Sequence, residues 1–219
     1  MIKTVIFDMD GVIVDTEPVH YFAYQQHFAQ LGIAVDDQLY ATFTGNSTRN
    51  IYEKLVSQFR LTDEVADLVL AKRALFNDAF DSKEDLEMLE GVSDLIQSLY
   101  QEGFQLILAS SSAKVTIGRV FNRFKLHQYF SHVVSGEDFP RSKPDPAIFQ
   151  KAVQLSGNDA SECIVIEDST NGIKAAKSAG IFTIGYKSVH TKLQDYTLAD
   201  MVINHFNELN PSKIKHLNG

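Results

Sequence analysis

Two aspartates separated by one residue, Asp8 and Asp10, end the short apolar run Thr4 to Phe7 near the start of the chain. Carboxylates beside an apolar core are costly to hold unless hydrogen bonds, water or a cation meets them. Side chains at i and i+2 of an extended segment share a face. Gly11, directly behind, permits a sharp turn whose backbone N–H groups are expected to be free to point at an anion. Two carboxylates beside an anion make chemical sense if a hard cation such as Mg2+ bridges them to phosphate oxygens. Alone, Asp-Gly reads equally well as a hydrated turn. Three further features change that balance: Ser110 opens ASSSAK, Lys143 sits in RSKPDP, and Glu167 and Asp168 end CIVIE. Singly these are a helix cap, a solvated lysine and a capping pair. Jointly, each at the carboxyl end of a predicted strand, they point to one site.

The elements that must carry them follow from periodicity. TVIF, FQLILA (104–109), HVVS (132–135), CIVIE (163–167), IFTIGY (181–186) and MVI (201–203) read as strands. Several are almost continuously apolar, as in a sheet covered on both faces. Between them, Val92, Leu95, Ile96 and Leu99 mark one helix that stops near Gly103. Asp145-Pro146 reads as N-cap and first position of a second, and NGIKAAKSAG as a third ending near Gly180. Alternating strands and helices predict an α/β fold, a Rossmann-like parallel sheet doubly wound by helices. One stretch breaks the alternation. From Thr16 to about Ser82 no strand pattern occurs, while Tyr21, Tyr24, Phe28 and Leu31 share one helical face and Val65, Leu68, Val69 and Phe76 another. This predicts a small all-helical insertion after the first strand, residues 16–85, in a core formed by 1–15 and 86–219. Asp15 to Pro18 and Ser82 to Glu87 are the candidate hinges.

Composition bounds the possible functions. At 219 residues with 44% hydrophobic content the chain can bury a sizeable core, and a net charge of −8 with no basic block argues against nucleic-acid partners. The single cysteine, Cys163, lies in an apolar run and fits a reducing compartment. No signal-peptide pattern and no stretch of membrane-span length is present, so the expectation is a cytoplasmic protein, monomeric, with no membrane partner.

DMDGVIVDTEP, ASSS, SKPDP and IEDSTNGIKAAKSAG closely resemble the four sequence motifs of the haloacid dehalogenase superfamily, in particular its phosphatase and β-phosphoglucomutase-like branch. The resemblance spans essentially the whole chain, and the insertion looks like that family's cap domain. It implies a phosphatase acting on a small phosphorylated metabolite, most plausibly a sugar or sugar-alcohol monophosphate. Asp8 would be the nucleophile that forms an aspartyl phosphate, an intermediate that splits a hydrolysis needing up to about 10²¹-fold acceleration. Asp10 would protonate the leaving alcohol and then accept a proton from water, helped to hold its proton near neutral pH by Asp8 and the departing anion. Mg2+ would be bound by Asp8, the Asp10 backbone carbonyl and Asp168, with Glu167 as ligand or supporting partner. Ser110 and Lys143 would hold phosphoryl oxygens.

The resemblance also separates neighbours of that branch. A dehalogenase lacks the second aspartate, which argues against that reaction, and a phosphonatase would bring a Schiff-base lysine from its cap. Lys54, Lys72 and Lys83 carry no sign of burial and read as solvated. His20, Gly45 and Arg49 resemble cap positions that close over a sugar phosphate. A β-phosphoglucomutase-like cap carries a basic residue in a segment resembling AKRK. Here AKRA ends in Ala74, which weighs against the mutase, the runner-up. A phospho-receiver domain would need neither the insertion nor Asp10.

Overall fold

The computed structural model describes residues 1–43, 46–188 and 193–217. β1 (Thr4–Phe7) is followed by four helices, α1 (Glu17–Leu31), α2 (Asp37–Ala41), α3 (Thr48–Phe59) and α4 (Val65–Ser82). The chain then alternates through α5 (Val92–Gln101), β2 (Gln105–Ser110), α6 (Lys114–Phe124), β3 (Phe130–Ser135), α7 (Ala147–Ser156), β4 (Cys163–Glu167), α8 (Thr170–Ser178), β5 (Phe182–Tyr186), β6 (Met201–Ile203) and α9 (Pro211–Lys215). The strands form one parallel sheet in the order β3-β2-β1-β4-β5-β6. The fold is therefore the Rossmann-like α/β sheet with an inserted helical cap.

Period-two alternation splits each strand between two cores. Val5, Phe7, Leu106, Leu108, Ile164 and Ile166 pack with Val92, Leu95, Ile96 and Leu99 of α5 and with Ile117, Val120 and Phe121 of α6. Ile6, Ile107, Ala109 and Val165 turn the other way, onto Ile148, Phe149 and Ala152 of α7 and Ala175 and Ala176 of α8. Burial on both faces is why these strands lack polar alternation. Cys163 is fully buried in the second layer.

The helical insertion has its own core of Tyr24, Phe28, Tyr40, Phe43, Ile51, Tyr52, Leu55 and Leu68. Two expected faces shift. Tyr21 is exposed, with Val19, Ala23 and His27 buried on α1 instead. On α4, Leu68 enters the cap core while Phe76 and Phe80 enter the sheet's core, so this helix is shared. The α7 helix begins one residue later than expected: Pro146 caps it and Asp145 Oδ1 accepts from Ala147 N–H. The two connections of the insertion run side by side, Val14 pairing antiparallel with Met88 and Leu89 N–H donating to the Ile13 carbonyl. Among the described residues no helix is long and apolar enough to cross a membrane.

Candidate active site

β1 lies between β2 and β4, where the strand order reverses, and ligands in open α/β sheets bind beyond the carboxyl ends at such a switch point. Asp8 leaves β1 there, 6% exposed. Lys143, 5% exposed, reaches it from the loop before α7. Its Nζ donates to Asp8 Oδ1 at 2.6 Å, to Glu167 Oε1 at 2.8 Å and to the Ala109 carbonyl at 3.1 Å. Burial works against the Lys143 charge, but Asp8 and Glu167 more than offset it, so its pKa is raised. Burial pushes the Asp8 carboxyl up to about 7, and Glu167 and Asp10 add to this against the pull of Lys143. Glu167 is engaged at both oxygens: Oε2 accepts from Ser169 N–H at 2.7 Å and Ser169 Oγ at 2.9 Å. It leaves no room beside Gly172, where a Cβ would lie 1.7 Å from Oε1. Asp168, next along the chain and 5% exposed, lies against Gly11, where a Cβ would meet its Oδ2 at 2.1 Å.

The Gly11 turn differs from expectation. Its backbone amides are consumed internally: Gly11 N–H donates to the Val14 carbonyl, and Val12, Ile13 and Val14 donate to Met9. Gly11 is required instead by its positive φ of 80° and by the approach of Asp168. Ser110 also sits differently. Fully buried, its Oγ accepts from Ser112 N–H at 3.0 Å, and Ser111 and Ser112 rather than Ser110 line the cavity.

Asp10 is gripped from two sides. Thr16 Oγ1, at the start of the insertion, donates to Oδ1 at 2.6 Å, and Ser112 Oγ donates to Oδ2 at 2.7 Å. His20 Nε2 stands 3.9 Å from Oδ1, a charge contact rather than a hydrogen bond. Burial alone would raise the Asp10 carboxyl, but His20, Thr16 and Ser112 outweigh it and hold it at about 2. These contacts favour the carboxylate, so the expected proton near neutral pH depends on the charge of a phosphoryl group acting against them.

Behind His20 stands Lys72, which the sequence reading took as solvated. It is 2% exposed, with Nζ 2.6 Å from His20 Nδ1 and 4.3 Å above the Tyr24 ring. Burial lowers its pKa to about 7, with Asp10 and Glu17 opposing. Burial and then Lys72 lower His20 in turn. A Lys72 N–H donated to Nδ1 fixes the imidazole proton on Nε2, facing Asp10. Ring stacking of His20 on Phe76 at 4.3 Å holds that orientation. Ala74 is exposed and away from the cavity, so its lack of charge says nothing against a mutase; Lys72 brings the basic group two positions earlier.

Cap and core together enclose a cavity of about 400 Å3 over Asp8 and Asp10. Arg49, exposed in the first turn of α3, is on its rim. Gly45 lies outside the described residues. Arg73 lines the cavity but pairs with Glu137 of the core at 2.8 Å. Thr16, Ser112, Lys72 and Glu17 were missed as site residues. Thr16 and Glu17 were legible only as neighbours of the acidic motif, while nothing local marks Lys72.

Asp8, Asp10, Glu167 and Asp168 line one end of the cavity, where Lys143 pairs with Asp8 and Glu167. Burial, with the Glu167 and Asp10 charges adding to it, raises Asp8 despite Lys143, and a carboxylate set held in this way fits a divalent cation. Among the described residues no three acidic, His or Cys side chains form a cage by themselves. Mg2+ needs none, since one or two carboxylates suffice when water and phosphate oxygens complete its shell.

Comparison with known proteins places the chain in a family and a fold. Residues 5–186 match the family model of the haloacid dehalogenase-like hydrolases. A phosphorylated carbohydrates phosphatase from Thermotoga maritima is 30% identical over 189 residues, 86% of each chain. The β-phosphoglucomutase of Bacillus subtilis is 29% identical over 212 residues, 94% of this chain and 91% of its own. The structure of CbbY from Rhodobacter sphaeroides in complex with phosphate superposes with a TM-score of 0.88 at 25% identity, covering 99% of this chain and 100% of that one.

Proposed function

The chain belongs to the haloacid dehalogenase-like hydrolase family, and we propose that within it the protein is a Mg2+-dependent phosphatase of a small sugar or sugar-alcohol monophosphate. The observation that carries this reading is the buried Lys143 bridge between Asp8 and Glu167 beneath a cavity that also holds Asp10. The phosphatase relative, named for phosphorylated carbohydrates, supports the substrate class. Residues 16–85 serve as the cap and the remainder as the catalytic core.

Asp8 Oδ attacks phosphorus while the bond to the alcohol oxygen breaks, leaving the phosphoryl group on Asp8. Lys143 lessens the repulsion between the Asp8 carboxylate and the incoming anion, and with the Ser110–Ser112 turn it holds the phosphoryl oxygens. Asp10 gives its proton to the departing oxygen, having been protonated when the charge of the bound phosphoryl group overrides Thr16 and Ser112. As a carboxylate it then takes a proton from the water that attacks phosphorus, which frees phosphate and regenerates Asp8. Mg2+ would be held by Asp8, Asp168 and the Asp10 carbonyl, supplying charge neutralisation at the phosphoryl group. Glu167, saturated by Lys143 and Ser169, acts by positioning the lysine.

The mutase is the second reading, favoured by the Bacillus subtilis relative. A mutase must keep water from the phosphoenzyme and return the phosphoryl group to the sugar. Phosphate release from hexose and polyol monophosphates, measured with Mg2+ and with chelator, separates the two. Stoichiometric, Mg2+-dependent release is expected. Isomerisation without release would overturn the phosphatase reading.

A further inference from the structure

One group on the cavity wall has no part in the chemistry above. Glu17, in the first turn of α1, lines the cavity between the hinge and the cap. Tyr40 OH donates to its Oε1 at 3.0 Å, and Tyr40 is itself buried at 8% exposure. Burial and then Glu17 raise the Tyr40 pKa, so the phenol stays a donor. Among the described residues Glu17 Oε2 accepts no hydrogen bond. Glu17 is half-buried, with Oε2 open to the cavity where a donor on a ligand can reach it, and burial raises its carboxyl to about 7. Tyr40 is positioned to aim the carboxylate rather than to neutralise it.

The surroundings define what would meet the free oxygen. Lys72, the basic group nearest this wall, is tied to His20, and Arg73 is paired with Glu137. Tyr24 and Phe43 face the same space, beside the polar Asn46, Ser47 and Thr48, with Arg49 farther out at the rim. Hydroxyl groups donate to a carboxylate and present C–H faces to aromatic rings. A carboxylate on the substrate would confront Glu17 with like charge.

We propose that Glu17, aimed by Tyr40, is a specificity-determining residue that accepts hydrogen bonds from the hydroxyls of a neutral polyhydroxylated leaving group and repels leaving groups that carry a carboxylate. This rests on the phosphatase reading and adds to it the chemical class of the alcohol.

The test is the ratio of kcat/KM for sorbitol phosphate to that for phosphoglycolate, measured with Mg2+ on the parent, Glu17→Gln and Tyr40→Phe. The parent is expected to favour sorbitol phosphate. Glu17→Gln should lower the ratio at least about tenfold, through a higher KM for the polyol and a gain on phosphoglycolate, because the bond is made to a non-reacting part of the substrate. Tyr40→Phe, which removes only the aiming bond, should move the ratio the same way by less. An unchanged ratio in Glu17→Gln overturns the assignment while leaving the phosphatase reading intact; a parent that favours phosphoglycolate overturns the assignment and the sugar-phosphate substrate class, leaving phosphate ester hydrolysis itself standing. A parent that releases no phosphate from these esters or from an aryl phosphate overturns both.

Discussion

Replacing Lys72 with Met should make the protein more stable and less active. Lys72 is 2% exposed and its pKa falls from 10.5 to about 7. At about 1.4 kcal/mol per unit, holding the charged amine at neutral pH costs the fold roughly 4 kcal/mol. Met keeps a long unbranched chain over the Tyr24 and Phe76 rings. It leaves His20 Nδ1 without its partner, a loss of about 1–3 kcal/mol. The net gain is about 2 kcal/mol, or about 4–8 °C in Tm for a chain of this size. The sign has a pH signature. Because the folded pKa lies below the unfolded one, the unfolded chain binds more protons between about pH 7 and 10.5, so the penalty is full below that window and fades as pH rises through it. Thermal melts of parent and Lys72→Met at about pH 6 and pH 10 provide the assay: the variant should melt higher at pH 6, and by pH 10, where the lost His20 contact outweighs what is left of the penalty, the order should level or reverse. Activity should fall at least about tenfold, since the imidazole is then free to turn its proton away from Asp10. A variant that melts below the parent at neutral pH, or a gap indifferent to pH, would refute the reasoning.

Gly172→Ala should destabilise the protein by about 1–3 kcal/mol and lower activity, because the added Cβ displaces the Glu167 carboxylate that holds Lys143; chemical denaturation read beside phosphate release checks both. Glu17→Gln should melt higher than the parent above about pH 7 and no higher below about pH 4.5. The raised folded pKa of Glu17 means that ionisation is penalised progressively across that window, and melts at both ends test the direction.

What the sequence disclosed and what it withheld divide along physical lines. The strands were legible because burial on both faces leaves a run such as CIVIE with no polar interruption, and MVI and TVIF were bounded to the residue. The acidic motif was legible because it directly follows an apolar strand, and a parallel sheet brings strand ends together. Lys72 was not, since AKRA on a helix reads as a solvated stretch and its partner His20 is 52 positions away. Only the way α4 is shared between the cap and the sheet turns that lysine inward. The amides of the Gly11 turn illustrate the converse: Asp-Gly correctly marked the turn, but donors exposed by a turn are also free to bond within it, as Gly11 does to Val14. Tyr21 kept the helical period and still faced outward, because α1 packs its Val19–Ala23 edge on the core.

The central claim is that Asp8 becomes covalently phosphorylated. Rapid acid quenching after mixing the enzyme and Mg2+ with a radiolabelled phosphate monoester, followed by peptide mapping, addresses it directly. Label should appear on the peptide containing Asp8, be released by hydroxylamine, and be absent in Asp8→Asn. Full turnover with no label on that peptide, or undiminished turnover in Asp8→Asn, would contradict the account.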